Sequence, residues 1–435
     1  MKALIDLLKS KDSIDEFIVT SRDTQSTELF FIKDELQMNR SKDVNHISVT
    51  VYKNFEIDGS KYKGSSITKI EPSMSLSEME DKIDKAALSA SFVKNEYYDL
   101  VEPSTDKPEP VTSVFKEGDP VLHISRLVKD IYDEDHQFGS WINSCEFFID
   151  VNHTRIINSK GLDVSFDSFR GEIELITEAN NTHESVELFN VLHFSDYNPA
   201  WIKRVIKGEL YLVSLRAKAI PLPHIQDVPI ILTGSAVSEF FDYYMAHVSA
   251  NLIYEQYITT KVGDLIQGDK VTGDHVSISI TPYLKNSIYS RAYDADGFLL
   301  KEVELIKNGV VTNLYAPKRY ADYLKIKPTG QLRNIIVSGG SKLESELLGK
   351  SYLLIHKFSD FQMDPLTGNF GGEIRLGVYY DGKIEMPVTL GGISGSMDQS
   401  QKDMYLSKET VQDDKYSGPQ FIKLNHISIA GNKNT

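Results

Sequence analysis

Residues 234–263, GSAVSEFFDYYMAHVSANLIYEQYITTKVG, set carboxylates, phenols and an imidazole along what the sequence predicts to be a helix. A zinc peptidase helix needs two imidazoles one turn apart on one face, with a glutamate beside the first to act on the metal-bound water. Here His247 is the only histidine, with Glu239 and Glu255 far to either side. Glu239, Tyr243, His247 and Glu255 can share a face, yet at 1.5 Å per residue they spread over about 24 Å. One ion cannot reach them all, so the spacing by itself predicts a polar helix surface.

Other stretches carry weaker signals. His183-Glu184 is the only His-Glu dipeptide, but His193 follows too late for a zinc helix and the segment alternates like a strand. GISGSMDQ holds Gly391, Gly392 and Gly395 without the G-x-S-x-G spacing of a serine hydrolase. GDKVTGDH lacks the lysine-serine ending of a phosphate loop. DADG, Asp294 to Gly297, is like the first half of a calcium loop, but the bidentate glutamate is displaced and a strand follows, so a turn is expected. APKRYADYLKIKPTGQLRN gathers Lys318, Arg319, Lys325, Lys327 and Arg333 against Asp322. That basic run suits a peptide carboxylate, an acidic partner or nucleic acid, and is equally the pattern of a solvated charged face.

Composition bounds what these residues serve. A chain of 435 residues exceeds what one core usually supports, so at least two domains are expected. With 41% hydrophobic and 25% charged residues it has globular composition, and its net charge of −15 disfavours direct binding to DNA or anionic lipid. No long apolar run predicts a membrane span, and MKALIDLLKSKDSIDEF reads as an amphipathic first helix. The single cysteine, Cys145, precludes an internal disulfide and fits a reducing, cytoplasmic setting.

The positioning elements follow from pattern. Residues 15–54 alternate in short runs, predicting three antiparallel strands. Ser75 with Glu78 makes a capping box before Leu76, Met79, Ile83, Ala87 and Ala90 at helical spacing. A proline-rich loop precedes a second helix at about 119–137, and Ser159-Lys160-Gly161 reads as a turn between two strands. The fold class is therefore α+β: an N-terminal mixed α/β domain over 1–220, then a C-terminal domain over 221–435 rich in antiparallel strands. The second domain is expected to be a large sheet or open barrel with one prominent helix, the boundary falling at the prolines of AIPLPHIQDVPIILTG.

Four ordered stretches then carry a resemblance. They are TTKVGDLI, YDADGFLLKEVELIKNGVVTNLYAPKRYADYLKIKPTGQLRN, DFQMDPLTGNFGGEIRLGVYYDGKIEMPVTLGGISGS, and GPQFIKLNHISIAGN with its final Ala-Gly. Together with NSKGLDVSF and the helix after Ser75, they make the chain similar to the TldD/PmbA family, formerly described as modulators of DNA gyrase. That family pairs a TldD subunit, carrying an H-E-x-x-x-H zinc helix and a later cysteine, with a TldE (PmbA) subunit of the same fold that lacks them. Counted back from Lys261-Val262-Gly263 in the family register, Glu239, Phe240 and Tyr244 stand where the zinc subunit has His, Glu and His. Phenylalanine cannot act as a base, and a phenol ionising near pH 10 is a poor zinc ligand. SGSMDQSQKDM holds no cysteine.

The resemblance thus implies a non-catalytic TldE-like subunit of a heterodimeric zinc metallopeptidase acting on unfolded or leader peptides. It implies no cofactor in this chain, zinc in a TldD-like partner, and an extended peptide as substrate. Arg333, Thr367 and Gly368, with Lys318 and Arg319, are the expected substrate or partner contacts. Two alternatives stay open. One is a self-sufficient homodimeric metallopeptidase recruiting metal through residues such as Glu239, His247 and His275. The other is a protein-binding regulator of a nucleic-acid enzyme such as DNA gyrase.

Overall fold

The computed structural model describes residues 1–117, 120–182 and 184–431; His183 lies outside them. In the first half the strands are β1 (Glu16–Ile32), β2 (Glu35–Ile57), β3 (Ser60–Ile70), β4 (Asn95–Glu96), β5 (Ser140–Asn158), β6 (Asp163–Asn180) and β7 (Ser185–Phe194). They form one antiparallel sheet in the order β4-β3-β2-β1-β5-β6-β7. Helices α1 (Lys2–Lys9) and α2 (Leu76–Ala90) bury Leu4, Leu8, Ile83 and Ala90 against Val19, Val49 and Val51. Helices α3 (Pro120–Tyr132) and α4 (Pro199–Arg216) close a second core over Phe147, Ile173 and Leu175.

The capping box forms as the sequence implies: Ser75 Oγ accepts from Glu78 N–H at 3.3 Å, and Glu78 Oε2 accepts from Ser75 N–H at 2.8 Å. The turn at 159–161 also forms, with Gly161 at φ +90°. The three strands expected over 15–54 are instead two long ones, β1 and β2. Residues 35–44 are exposed on both faces, so polar Asn39 to Asp43 look like a turn in sequence, yet backbone pairing with β1 keeps them extended.

The second half has β8 (Ile220–Pro221), β9 (Ile230–Leu232), β10 (Ile278–Thr281), β11 (Val303–Lys307), β12 (Val310–Val311), β13 (Asn334–Val337), β14 (Tyr352–Met363) and β15 (Asn369–Tyr380). These are followed by β16 (Glu385–Thr389), β17 (Gly391–Ser396), β18 (Tyr405–Leu406), β19 (Thr410–Asp413), β20 (Tyr416–Pro419), β21 (Ile422–Leu424) and β22 (Ser428–Ala430). One sheet runs β12-β11-β10-β13-β20-β19; the other runs β18-β21-β9-β14-β15-β16-β8, with β17 and β22 branching from β15. Pairing is largely antiparallel, but β13 with β20, β14 with β9, and β16 with β8 are parallel. Two sheets thus replace the expected single large sheet or open barrel, and the protein is α+β.

The prominent helix is also different. Residues 234–263 form three short segments, α5 (Ser235–Phe240), α6 (Asp242–His247) and α7 (Ala250–Tyr254). The second break has a clear cause: Tyr315 N–H donates to Val248 O at 2.8 Å and Ala250 N–H donates to Tyr315 O at 2.9 Å, so Ser249 is drawn into an extended bridge. Val237, Phe240, Phe241 and Tyr244 fill one core shared by both sheets, packed with Ile278, Ile335, Leu353 and Phe370.

Lys63 is buried at the outer end of the first sheet, where it pairs with Glu16. Its ammonium lies 4.7 to 5.4 Å from the ring centres of Tyr52, Tyr97 and Tyr98. Burial pushes its pKa down, opposed by the Glu16 carboxylate. Glu16 also pairs with Lys160 at 3.0 Å, so Lys63→Ala leaves the buried carboxylate one cation out of two and is expected to cost about 2 kcal/mol. The double change Lys63→Met with Glu16→Gln should lose less than Lys63→Ala alone, as read by thermal midpoints.

Candidate functional site

Two clefts flank the broken helix. The larger, about 1160 Å³, has Glu239 and Asp242 from the helical segments, Asp360 to Asp364 from β14, Asn369 to Glu373 from β15, and Leu390 to Ile393 around the start of β17. The smaller, about 320 Å³, is lined by Asp242, Met245, Ala246 and Ser249 on the helical side and by Tyr289, Tyr315, Arg333 and Lys415 opposite. Glu239, Asp242, Met245 or Ala246, and Ser249 recur at helical spacing, so the helix presents one continuous edge to both. Asp242, which lines both clefts, was not singled out in the sequence; its spacing of three from Glu239 was the available signal.

Burial raises the pKa of Glu239, with the Ser235 hydroxyl holding it down and Asp242 adding to the rise. Burial likewise raises Asp242, and Lys415 opposes it. The other two positions of the family register turn away from the clefts. Phe240 is fully buried, its ring 5.5 Å from Phe370 and 6.1 Å from Phe241. Tyr244 is fully buried too, its hydroxyl donating to Gln401 Oε1 at 3.3 Å, and burial raises its pKa well above the ordinary phenol value. The three residues therefore do not fit a zinc ion: only Glu239 offers a ligand atom to a cleft.

The wider metal set does not assemble either. His247 lies half-buried against the Tyr243 ring at 4.0 Å, with burial lowering its pKa. His275 lies beside Gly309, and Glu255 is exposed. Among the described residues no group of three or more His, Cys, Asp or Glu is placed to hold a metal. Cys145 is buried in β5, where desolvation raises its thiol pKa.

Thr367 and Gly368 build the tip of the β14–β15 hairpin. Asp364 accepts from Leu366 N–H at 2.9 Å and from Thr367 Oγ at 2.6 Å, which holds its pKa down. Gly368 has φ +73°, and a Cβ there would come within 2.9 Å of Met397 and Tyr243. Gly368 thus seats the tip against Tyr243 while exposed Thr367 braces the turn through Asp364; neither lines either cleft, though their neighbours Asp364 and Asn369 face the larger one.

The basic run divides. Lys318 pairs with Asp322 one turn on. Arg319 donates to Asn95 Oδ1 at 2.8 Å and lies over Tyr98, Tyr320 and Tyr323, which ties the helix α8 (Lys318–Leu324) to the first sheet. Arg333 alone of the proposed contacts in this run lines a cleft, its guanidinium 5.2 Å from the Tyr289 ring centre.

What aims Arg333 is the DADG turn. Asp294 is fully buried and accepts backbone N–H bonds from Asp296 and Phe298, both at 2.9 Å, and from Gln331 at 3.0 Å. Arg291 donates to the Gln331 carbonyl at 2.9 Å, so the backbone just before Arg333 is held from both sides. DADG is thus a structural turn, as the sequence suggests. Gly297, at φ +81°, leaves no room for a Cβ, which would meet Leu162 at 2.2 Å.

The sequence model of the PmbA/TldA metallopeptidase C-terminal domain matches residues 225–431. The metalloprotease PmbA homolog of Buchnera aphidicola is 25% identical over 210 residues, 47% of this chain and 46% of its own length. Metalloprotease PmbA of Escherichia coli O157:H7 is 23% identical over 192 residues, 43% of this chain and 41% of its own. The chain spans about half the length of these curated relatives. The crystal structure of TldE from Thermococcus kodakarensis has the same fold, with a TM-score of 0.80 at 18% identity, covering 99% of this chain and 100% of the other.

Three outcomes are expected. Asp294→Ala leaves three part-buried N–H groups without their acceptor and should cost about 3 kcal/mol, seen as a lower thermal midpoint. Burial and the Asp294 charge push Asp296 up to about 6. A carboxyl raised in the folded state costs nothing below its unfolded value and its full penalty above about 6, so Asp296→Asn should stabilise by on the order of 1 kcal/mol at pH 7.5. That gain should vanish below pH 4 in a pH series of melts. Finally, rebuilding the zinc motif with Glu239→His, Phe240→Glu and Tyr244→His should unfold the chain instead of loading zinc, because two of the changes bury polar groups in a packed core, at roughly 3 kcal/mol or more each. A folded, zinc-loaded triple variant would refute this.

Proposed function

The chain belongs to the TldD/PmbA family, and from that premise we propose that it is a TldE-like, non-catalytic subunit of a two-subunit zinc peptidase. Its part is to wall one side of a substrate chamber and hold an extended peptide while a TldD-like subunit, which carries the zinc, cuts it. We place this assembly in the cytoplasm. The observation that supports the reading best is the pairing of a large cleft with a helix whose family positions Phe240 and Tyr244 face the core. Such a chain keeps a chamber and has lost the means to activate water in it.

The cleft suits an extended chain. β14 pairs with β9 only over Leu353–Ile355, whereas Asp360–Met363, which line the cleft, pair with β15 alone. An edge with free N–H and C=O groups accepts a peptide through main-chain hydrogen bonds that are indifferent to side chains. A separate surface suits a subunit contact: the outer part of β2, paired only with β1, exposes Leu36, Met38 and Val44 beside Ile32 at the end of β1.

The older regulator reading gains no support from the basic run, since Lys318 and Arg319 are engaged within the chain. Co-expression with a TldD-like zinc subunit tests the proposal. A stable one-to-one complex with peptidase activity that neither chain shows alone is expected. About one zinc per isolated chain, with peptide cleavage abolished by chelator and by His247→Ala, would establish the self-sufficient enzyme instead. Leu36→Lys with Met38→Lys should weaken the complex at least roughly tenfold in a titration, since two charges would be desolvated in the contact.

A further inference from the structure

The larger and smaller clefts meet at Asp242, and their linings are opposite in charge. The larger presents Glu239, Asp242, Asp360, Asp364 and Glu373 and is lined by no lysine or arginine. The smaller presents Arg333 and Lys415 beside the rings of Tyr289 and Tyr315. Lys415 acts through space on Asp242 and Glu239. Arg333 rests over Tyr289, and neither cation makes an ion pair with a described carboxylate, so the field at the basic end is left for a ligand. The backbone that presents Arg333 is fixed by Asp294 and Arg291, which removes much of the ordering cost of a bidentate contact.

We propose that the joined clefts bind an extended peptide in one direction, its C-terminal carboxylate at Arg333 and Lys415 and its lysine or arginine side chains among the carboxylates of the larger cleft. The proposal rests on the peptide-holding role given above and adds to it a substrate class, cationic peptides with a free C-terminus, and a polarity. The volumes agree with this division: about 320 Å³ takes a terminal residue and about 1160 Å³ the several residues before it. The unpaired edge of β14 at Asp360–Met363 supplies main-chain bonds that do not depend on sequence, so charge selection falls to Asp360, Glu373 and the helix carboxylates. A guanidinium gives a planar fork matched to a carboxylate, and a lysine beside it adds a point charge.

Fluorescence anisotropy with the full chain tests this with three labelled octapeptides: one rich in lysine with a free C-terminus, the same peptide as its C-terminal amide, and a version with glutamate in place of lysine. Amidation and the exchange of lysine for glutamate are each expected to weaken binding about tenfold, the usual scale for one lost charge-assisted contact. Arg333→Gln should erase the difference between acid and amide while keeping the preference for lysine; Asp360→Asn with Glu373→Gln should do the reverse. All three residues are exposed, so these variants keep the fold. Equal binding of acid and amide, or of the lysine and glutamate peptides, overturns the proposal and leaves the subunit role standing. Binding of none of the peptides overturns both, whereas failure to pair with a zinc subunit overturns the subunit role alone.

Discussion

The buried carboxylate of Asp294 is the contact on which the site most depends. It is removed from water, and its cost is offset by three backbone N–H groups that converge on it, two from its own turn and one from Gln331, with the Arg291 charge adding to them. Gln331 thereby becomes a fixed point, and Arg333 is presented to the smaller cleft two residues later. The same turn carries Gly297 against Leu162, in the turn between β5 and β6, and Phe298 into the cluster formed by Ile18, Tyr52 and Ile156. One hydrogen-bonding centre therefore sets both the aim of a cleft residue and the seam between the two halves. Arg319 and its tyrosines reinforce that seam a short distance away, which explains why a basic residue in an acidic protein is spent on an internal contact.

The broken helix follows a related constraint. A straight helix over 234–263 would have turned one polar face along its length. Tyr315 prevents this by pairing with the backbone around Ser249, and the segments that result lie between two sheets that demand an apolar surface. Phe240, Phe241 and Tyr244 meet that demand, while Glu239 and Asp242 are left at the rim. Phe240, where the resemblance would place a general base, is here a core position, so any base at that point would face packed side chains and no cleft.

How far this was legible varied with the range of the interaction. Local signals were sufficient for the Ser75 capping box, the 159–161 turn and the DADG turn, because each is decided by residues within a few positions. The split of residues 15–54 into two strands was not legible, since Asn39 to Asp43 stay extended only through pairing with a distant stretch of β1. The helix break depended on Tyr315, and the division of the basic run depended on Asn95 and Tyr98, all remote in sequence. Glu239 was singled out by its helical spacing and again through the family register, whereas Asp242 was missed because a carboxylate on a helix surface gives no sign that two clefts meet beside it. Arg333 was chosen for its place in a landmark, and the structure supplied what the landmark could not, the clamp that aims it.

Those distances in sequence also bear on what the landmarks do in the fold. The turns around Asp294, Gly330 and Gly368 are each tied to the helix or to the seam: a Cβ at Gly330 would press on Leu300 and Phe298 at 2.5 and 2.8 Å, and one at Gly368 on Met397 and Tyr243. They hold the clefts open and in register whether or not water is activated inside them. Buried carboxyls and left-handed glycines cost a fold free energy, and each of these positions a cleft residue, the helix or the seam.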